Sequence, residues 1–459
     1  MLGKLLSQFA ALLALAFAIP ALASPGASPG TRPGGRPVLL ISIDGLRPGD
    51  VIEAQARGLK VPNLRQFLVQ GSYATGVRGV LPTVTYPSHT TLITGASPAR
   101  HGIYSNTTFD PMQSNFGGWY WFASDIKVPT LWQAATAAGL SVGNVHWPVS
   151  VGAAGVTWNL PQIWRSGHAD DAKMLTALAT PGLVAELEGM TGETYAAGID
   201  ESIEGDENRG RFAVALIARH RPGFATVYLT GLDHQQHADG PGSAPAQAVL
   251  ERIDTIVGKL IAAERAAYPD AVIAVVSDHG FAPVAHETNL FRAFIDAGLI
   301  VLGADGKVAS WKAMPWPSGG SAAVVLADPN DGATRSLVSG LITKLAADPA
   351  SGIASVIMPD PIKAMGGNPQ AAWFINFVPG TSAGNFADRA GGVTAAAHYK
   401  GTHGWFPDRP EMRATFMLMG PGIPKAHVLG EIDQRAIAPT LARIMGARLS
   451  GAEVPALKY

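Results

Sequence analysis

Three segments of this chain end in the same few residue types. Asp44 closes the run VLLISID, Asp233 and His237 follow ATVYLTGL, and Asp278 and His279 follow AVIAVVS. Each run is short, apolar and β-branched, the pattern of a buried parallel strand, and open α/β sheets bind their ligands at the carboxyl ends of such strands. The tips should therefore converge, and His403 in the turn GTHGW can join them. Counted as donors, Asp44, Asp278, His279 and a hydroxyl at Thr85 make one four-coordinate set. Asp233, His237 and His403 make a three-ligand set with an open position. His237 is preferred to the adjacent His234 because a carboxylate and an imidazole four residues apart form a one-turn chelate. Mixed carboxylate and imidazole ligation suits zinc. Two such ions about 3.5–4 Å apart form a clamp for in-line displacement at phosphorus.

The hydroxyl comes from residues 81–106, LPTVTYPSHTTLITGASPARHGIYSN. Pro87 can open a helix in its first turn, where a missing N–H costs nothing. Thr85, just upstream, would face the positive end of that helix, where unpaired N–H groups favour an anion such as phosphate. A threonine before a helix is ordinarily a cap. Spacing alone leaves Thr83, Ser88, Thr90 and Thr91 as competing nucleophiles.

The elements that position these residues alternate. Residues 61–71 have helical spacing and stop at Gly71, and 72–81 read as a strand. Residues 89–95 read as helix, and 129–147 as helix, glycine stop and strand. Helices are expected at 181–190, 207–222 and 246–266, and strands at 225–237, 271–281 and 412–422. A closing helix is expected at 432–446. This alternation predicts an α/β fold: a doubly wound, mostly parallel sheet flanked by helices. Residues 282–400 are Gly/Ala/Pro-rich without a motif and read as an irregular inserted cap subdomain.

With Lys+Arg 34 against Asp+Glu 35, the net charge of −1 supplies no global field for a nucleic-acid duplex or an anionic membrane. Phosphate recognition must be local. Residues 1–23 have a signal-peptide layout: Lys4, an apolar run from Phe9 to Ile19, and the small-residue site Ala21-Leu22-Ala23. Cleavage there would give a secreted or periplasmic protein with no membrane segment. Residues 24–37 read as a mobile Pro/Gly/Ser linker and 38–450 as the catalytic domain. The absence of cysteine excludes disulfides, so stability must come from the core and from bound metal.

In order and spacing, IDGLRP, PTVTYPSHTTLITG, HGIYSN, LDHQQHADGPG, SDHGF and THGW resemble the alkaline-phosphatase superfamily, in particular its nucleotide pyrophosphatase/phosphodiesterase branch, over most of residues 38–450. The resemblance implies an alkaline-phosphatase-like fold and two zinc ions, one on Asp44, Thr85, Asp278 and His279, the other on Asp233, His237 and His403. It implies Thr85 as the nucleophile, which resolves the choice of hydroxyl, and Asn106 as a donor to a phosphate oxygen. It also implies that Tyr86 stacks on a nucleobase, with the aromatic run 117–122 a further lining of that pocket. The N–H of Tyr86 would share the phosphate oxygen with Asn106.

A small phosphate ester or nucleotide is the expected substrate. A monoester carries more charge than a diester and should draw extra cations, yet Val84 stands beside Thr85 and no Lys-x-Arg appears near the motifs. That favours diesters and pyrophosphates. A threonine-nucleophile alkaline phosphatase, with Lys127 or Arg165 reaching in, is the alternative, and a non-catalytic metal- or phosphate-binding protein is a third reading. Lack of cysteine and of Ser-x-Pro-x-Arg disfavours a sulfatase, and a threonine nucleophile disfavours a cofactor-independent mutase.

Overall fold

The uncharged run Val38–Ile43 is strand β1, and all six residues are buried, as a strand covered on both faces must be. The computed structural model describes residues 35–115, 118–163, 165 and 167–459. The expected signal peptide and most of the expected linker lie outside them. Residues 35–37 do not behave as linker: the Arg36 N–H donates to Ile444 O at 2.9 Å, which ties the start of the fold to its last helix.

Around β1 lie β2 (Gly71–Tyr73), β3 (Val142–Val145), β4 (Trp158–Leu160), β5 (Phe224–Leu229), β6 (Val272–Val276), β7 (Phe416–Met419) and β8 (His427–Val428). They form an eight-stranded sheet in the order β8-β2-β7-β6-β1-β5-β3-β4. Only β7 runs against its neighbours. Ile43 pairs with Leu229, and Ser42 pairs with Val276, so β1, β5 and β6 end at one edge of the sheet. That register delivers Asp44 and Asp278 to the same place.

Helices α1 (Pro62–Gln70), α2 (Thr85–Thr94), α3 (Leu131–Ala137), α4 (Ile203–His220), α5 (Gly231–Asp239), α6 (Ala244–Ala267) and α7 (Ile437–Ile444) cover both faces. Side chains alternate across a strand, and β1 sorts accordingly. Leu39, Ile41 and Ile43 pack with Phe212 of α4 and Leu260 of α6. Val38 and Leu40 pack with Leu92 of α2, Trp132 of α3 and Leu441 of α7. This is the two-sided α/β architecture that the alternation predicts.

Three expectations need correction. The strand expected over 225–237 ends at Leu229, and Asp233 and His237 ride on α5, which begins at Gly231. The expected strand over 72–81 is split, with β2 in the main sheet and Gly76–Arg78 paired to Glu431–Asp433. Residues 282–400 are also far from irregular. Strands Ala313–Ser318, Ser321–Leu326, Ala371–Phe377 and Ile353–Ile357 form an antiparallel sheet with its own core of Val324, Ile375 and Phe377. Pro315 and Pro317 hid its first strand, yet that strand lies at the sheet edge, where a missing N–H is tolerated.

Candidate active site

Helix α2 starts earlier than the position of Pro87 suggests. Thr85 is its first residue, Pro87 its third, and Val84 precedes it without a side-chain cap. Pro87 still falls in the first turn, where no N–H is needed. Thr85 is therefore not a cap. Its hydroxyl is buried, 3.4 Å from His279 Nε2. The Tyr86 N–H, one of the helix's unpaired donors, is taken by Asn106 Oδ1 at 2.9 Å. The expectation that this N–H serves phosphate is thereby corrected. Asn106 is held with its other amide end, the donor Nδ2, left over.

The carboxylates meet as the sheet register requires. Asp44 and Asp278 are buried, and His279 Nε2 lies 3.4 Å from Asp44 Oδ1 and 3.1 Å from Asp278 Oδ2. On α5, Asp233 Oδ2 is 3.3 Å from His237 Nε2, and Asp233 Oδ1 is 3.7 Å from His403 Nε2. His234 turns away to Glu201 at 3.1 Å and is half exposed, which leaves His237 as the inward imidazole. Two compact donor groups result: Asp44, Asp278 and His279, and Asp233, His279 and His403. His279 borders both, and His237 flanks the second.

Each of three imidazoles is oriented through its other nitrogen. Nδ1–H donates to Gly401 O from His237, to Thr83 O from His403 and to Gly280 O from His279, at 2.9, 3.1 and 3.1 Å. The free Nε2 atoms face the carboxylates, as imidazoles held for a metal do. Asp44 Oδ1, Asp233 Oδ1 and Asp278 Oδ2 are buried without a hydrogen-bond partner. Unpaired buried carboxylate oxygens are costly, and facing nitrogen lone pairs they fit divalent cations.

The electrostatics carry the same imprint. Burial, then the charges of Asp233 and Asp278, push Asp44 well above the usual carboxylate range. Burial also opposes ionisation of Asp233, but His237, His403 and His279 together outweigh it and hold the carboxyl at about 2. His403 drops to about 3 through burial and through His279, whose ring stacks on it with centroids 3.6 Å apart. Two stacked imidazolium ions would repel, so His403 is neutral and its Nε2 lone pair is free.

Neighbours with no motif of their own hold this arrangement. Tyr228 donates its hydroxyl to Asp44 Oδ2. His89, one helical turn after Thr85, donates Nδ1–H to Thr85 O at 2.9 Å and receives the Ser42 hydroxyl on Nε2 at 2.8 Å. Gln434 donates to Asp278 O at 2.9 Å. Two glycines let ligand residues turn. Gly45 has φ +67°, and a Cβ there would lie 2.9 Å from Gln236 Nε2. Gly404, after His403, has φ +93°, and its Cβ would lie 1.8 Å from Ser318 O.

Other residues singled out from sequence stand elsewhere. Arg165 pairs with Asp170 and, at 3.0 Å, with Asp171. The Lys127 ammonium lies 5.7 Å from the centre of the Tyr104 ring. Tyr86 is fully buried, its ring 5.3 Å from that of Trp119, within a cluster that includes Ile103 and Val149. The open space is elsewhere: a cavity of about 270 Å³ bounded by Val84, Asn106, His237, Glu287, Tyr399 and His403.

A model of the type I phosphodiesterase/nucleotide pyrophosphatase family matches residues 38–347. Ectonucleotide pyrophosphatase/phosphodiesterase family member 3 of Rattus norvegicus is 27% identical over 256 residues, 53% of this chain and 25% of that protein. The bis(5′-adenosyl)-triphosphatase of Mus musculus is 23% identical over 249 residues, 53% of this chain and 47% of that protein. The chain thus spans a quarter to a half of these relatives' length. Among solved structures, murine ectonucleotide pyrophosphatase/phosphodiesterase 5 matches with TM-score 0.63 at 18% identity, over 92% of this chain and 97% of that one. An inactive threonine-to-alanine form of that murine protein, in complex with AMP, matches with TM-score 0.64 at 18% identity, over 92% of this chain and 96% of that one. At this identity the likeness is one of fold.

Proposed function

Because the chain belongs to the type I phosphodiesterase/nucleotide pyrophosphatase family, we propose that it hydrolyses phosphodiester or pyrophosphate bonds of small, nucleotide-type substrates through Thr85. Two zinc ions fit the donor set, one on Asp44, Asp278, His279 and Thr85, the other on Asp233, His237 and His403. When bound, they would supply Lewis-acid activation of the threonine hydroxyl and neutralise charge at the phosphoryl group. Residues 38–450 act as the catalytic domain and 282–400 as its cap, and residues 1–23 direct export and are cleaved.

The work of the chain's own residues follows. Helix α2 presents Thr85 Oγ at its positive end, where an attacking oxyanion is favoured. Asn106, fixed by the Tyr86 N–H, donates Nδ2–H to a non-bridging phosphate oxygen. Thr85 Oγ loses its proton and bonds phosphorus as the opposite P–O bond breaks, and the departing oxygen takes up a proton. Water then cleaves the phosphothreonine, restoring the hydroxyl and releasing a monoester.

One observation favours diesters over monoesters. Among the described residues no lysine or arginine lines the cavity at Asn106, where Glu287 adds a carboxylate, and Arg165 is tied to its two aspartates. A dianionic monoester finds no added cation there. After metal analysis of the purified protein, kcat/KM for bis-p-nitrophenyl phosphate is expected to exceed that for p-nitrophenyl phosphate, and Thr85→Ala should abolish both activities. A dominant monoester rate would favour the alkaline-phosphatase reading. With zinc bound, inertness toward both esters would leave the non-catalytic binder, and full turnover by Thr85→Ala would sink the covalent route.

A further inference from the structure

We propose that a second cavity, walled by Phe109, Trp316 and Phe386, holds one organic arm of the diester substrate, and that it selects a planar or apolar arm that is uncharged or cationic. The proposal rests on the phosphodiesterase reading above and names where that substrate's bulk lies. The cavity measures about 390 Å³, enough for an aryl or nucleoside-sized group. It adjoins the space at Asn106, for Thr107, Pro317 and Asn385 line both. Its mouth therefore begins one residue from the expected phosphate-oxygen donor.

Its walls suit a flat ring. Phe109 and Trp316 lie 5.1 Å apart at 41°, and Phe386 meets Phe291 edge-on at 5.4 Å. Trp316 is 6% exposed and its indole N–H has no acceptor, so a carbonyl or ring nitrogen on the arm could satisfy it. Tyr86, where the family resemblance would seat a base, is closed off by Trp119. Bulk that cannot enter there has this adjoining space instead.

Charge supplies the selectivity. The ionisable side chains on the wall are Asp110 and Asp388, and Glu287 adds a third carboxylate in the adjoining cavity. Behind them Arg389 lies 4.2 Å over the Phe386 ring, and His398 faces Asp388 at 3.7 Å and Glu287 at 2.9 Å. Three carboxylates thus stand against one guanidinium and one imidazole. An arm bearing a carboxylate or a further phosphate would be repelled, whereas a neutral or cationic one would not.

The test uses the zinc-loaded full chain and three diesters that share a p-nitrophenolate leaving group. Their second arms are methyl, phenyl and 4-carboxyphenyl. The wild type should rank phenyl above methyl and 4-carboxyphenyl below phenyl in kcat/KM. In Phe109→Ala the phenyl-to-methyl ratio should fall about tenfold, the size of a lost aromatic contact. In Asp388→Lys the 4-carboxyphenyl-to-phenyl ratio should rise about fivefold. Asp388 is only partly buried, so the charge variant reports even if Phe109→Ala does not fold. If both ratios match the wild type in folded variants, the arm does not occupy this cavity. If none of the diesters is cleaved while p-nitrophenyl phosphate is, the phosphodiesterase reading itself falls.

Discussion

Asn106 shows how much a single side chain can carry at this site. Its Oδ1 accepts the Tyr86 N–H at 2.9 Å and its Nδ2 is left over, so one amide finishes the helix and, in the proposed reaction, would donate to phosphate. Asn106→Asp separates the two roles. The aspartate keeps an acceptor for Tyr86, but it loses the donor and adds a negative charge facing the phosphoryl group. We expect a melting temperature close to the wild type and a kcat/KM lower by about 10²–10³, the usual cost of one such donor. A variant of full activity would remove Asn106 from the reaction. The aspartates and histidines that the fold gathers, Thr85 and Asn106 were all legible as motif letters, because the proposed chemistry demands those residue types. His89 and Tyr228 were not. Each touches the site through one hydrogen bond, to Thr85 O and to Asp44 Oδ2, and Ser42 also holds His89 from the far side of its ring.

Helix α5 carries Asp233 and His237, and what fixes it is a buried ion pair from another helix. Asp206 on α4 accepts the N–H groups of Thr230 and Gly231, both at 2.8 Å, and so satisfies donors that the start of α5 leaves open. Arg209, one turn on, pairs with Asp206 and donates to Thr230 Oγ1 at 2.7 Å and to Asp200 O at 2.6 Å. Both side chains are fully buried. Asp206→Ala would strand the Arg209 charge and two N–H groups together, a loss of about 3–5 kcal/mol. Denaturant unfolding should register that loss, and, if Asp233 and His237 hold metal as proposed, bound-metal content should fall with it because α5 loses its anchor. Unchanged stability would mean that water or a shifted side chain replaces the carboxylate. Here the sequence was less legible. The sheet strands and long amphipathic helices declared themselves by period, but α5 is polar on most faces and reads as the continuation of β5. The sheet within 282–400 was hidden by short strands, alanine-rich packing and prolines that are harmless only at an edge.

The whole molecule has no disulfide and little net charge, so the apolar core between sheet and helices must tolerate whatever polar groups it encloses. Glu264 of α6 is the weak point in that arrangement. It is fully buried, neither carboxylate oxygen has a partner, and burial alone pushes its carboxyl up to about 8. The ordinary value is 4.5, so between those two pH values the unfolded chain has released a proton that the folded chain retains. Folding then binds more protons than unfolding, and stability must fall as pH rises. The term is absent below about pH 4.5, grows through neutrality and levels off above about pH 8, on the order of 5 kcal/mol in all. Glu264→Gln keeps the shape and removes the titration. Measured by denaturant unfolding in matched buffers, the variant should gain on the wild type steadily from pH 5 to pH 8.5. Two stability curves that stay parallel over that range would mean that Glu264 is ionised in the folded protein, and hence that a cation or water reaches a position the packing closes.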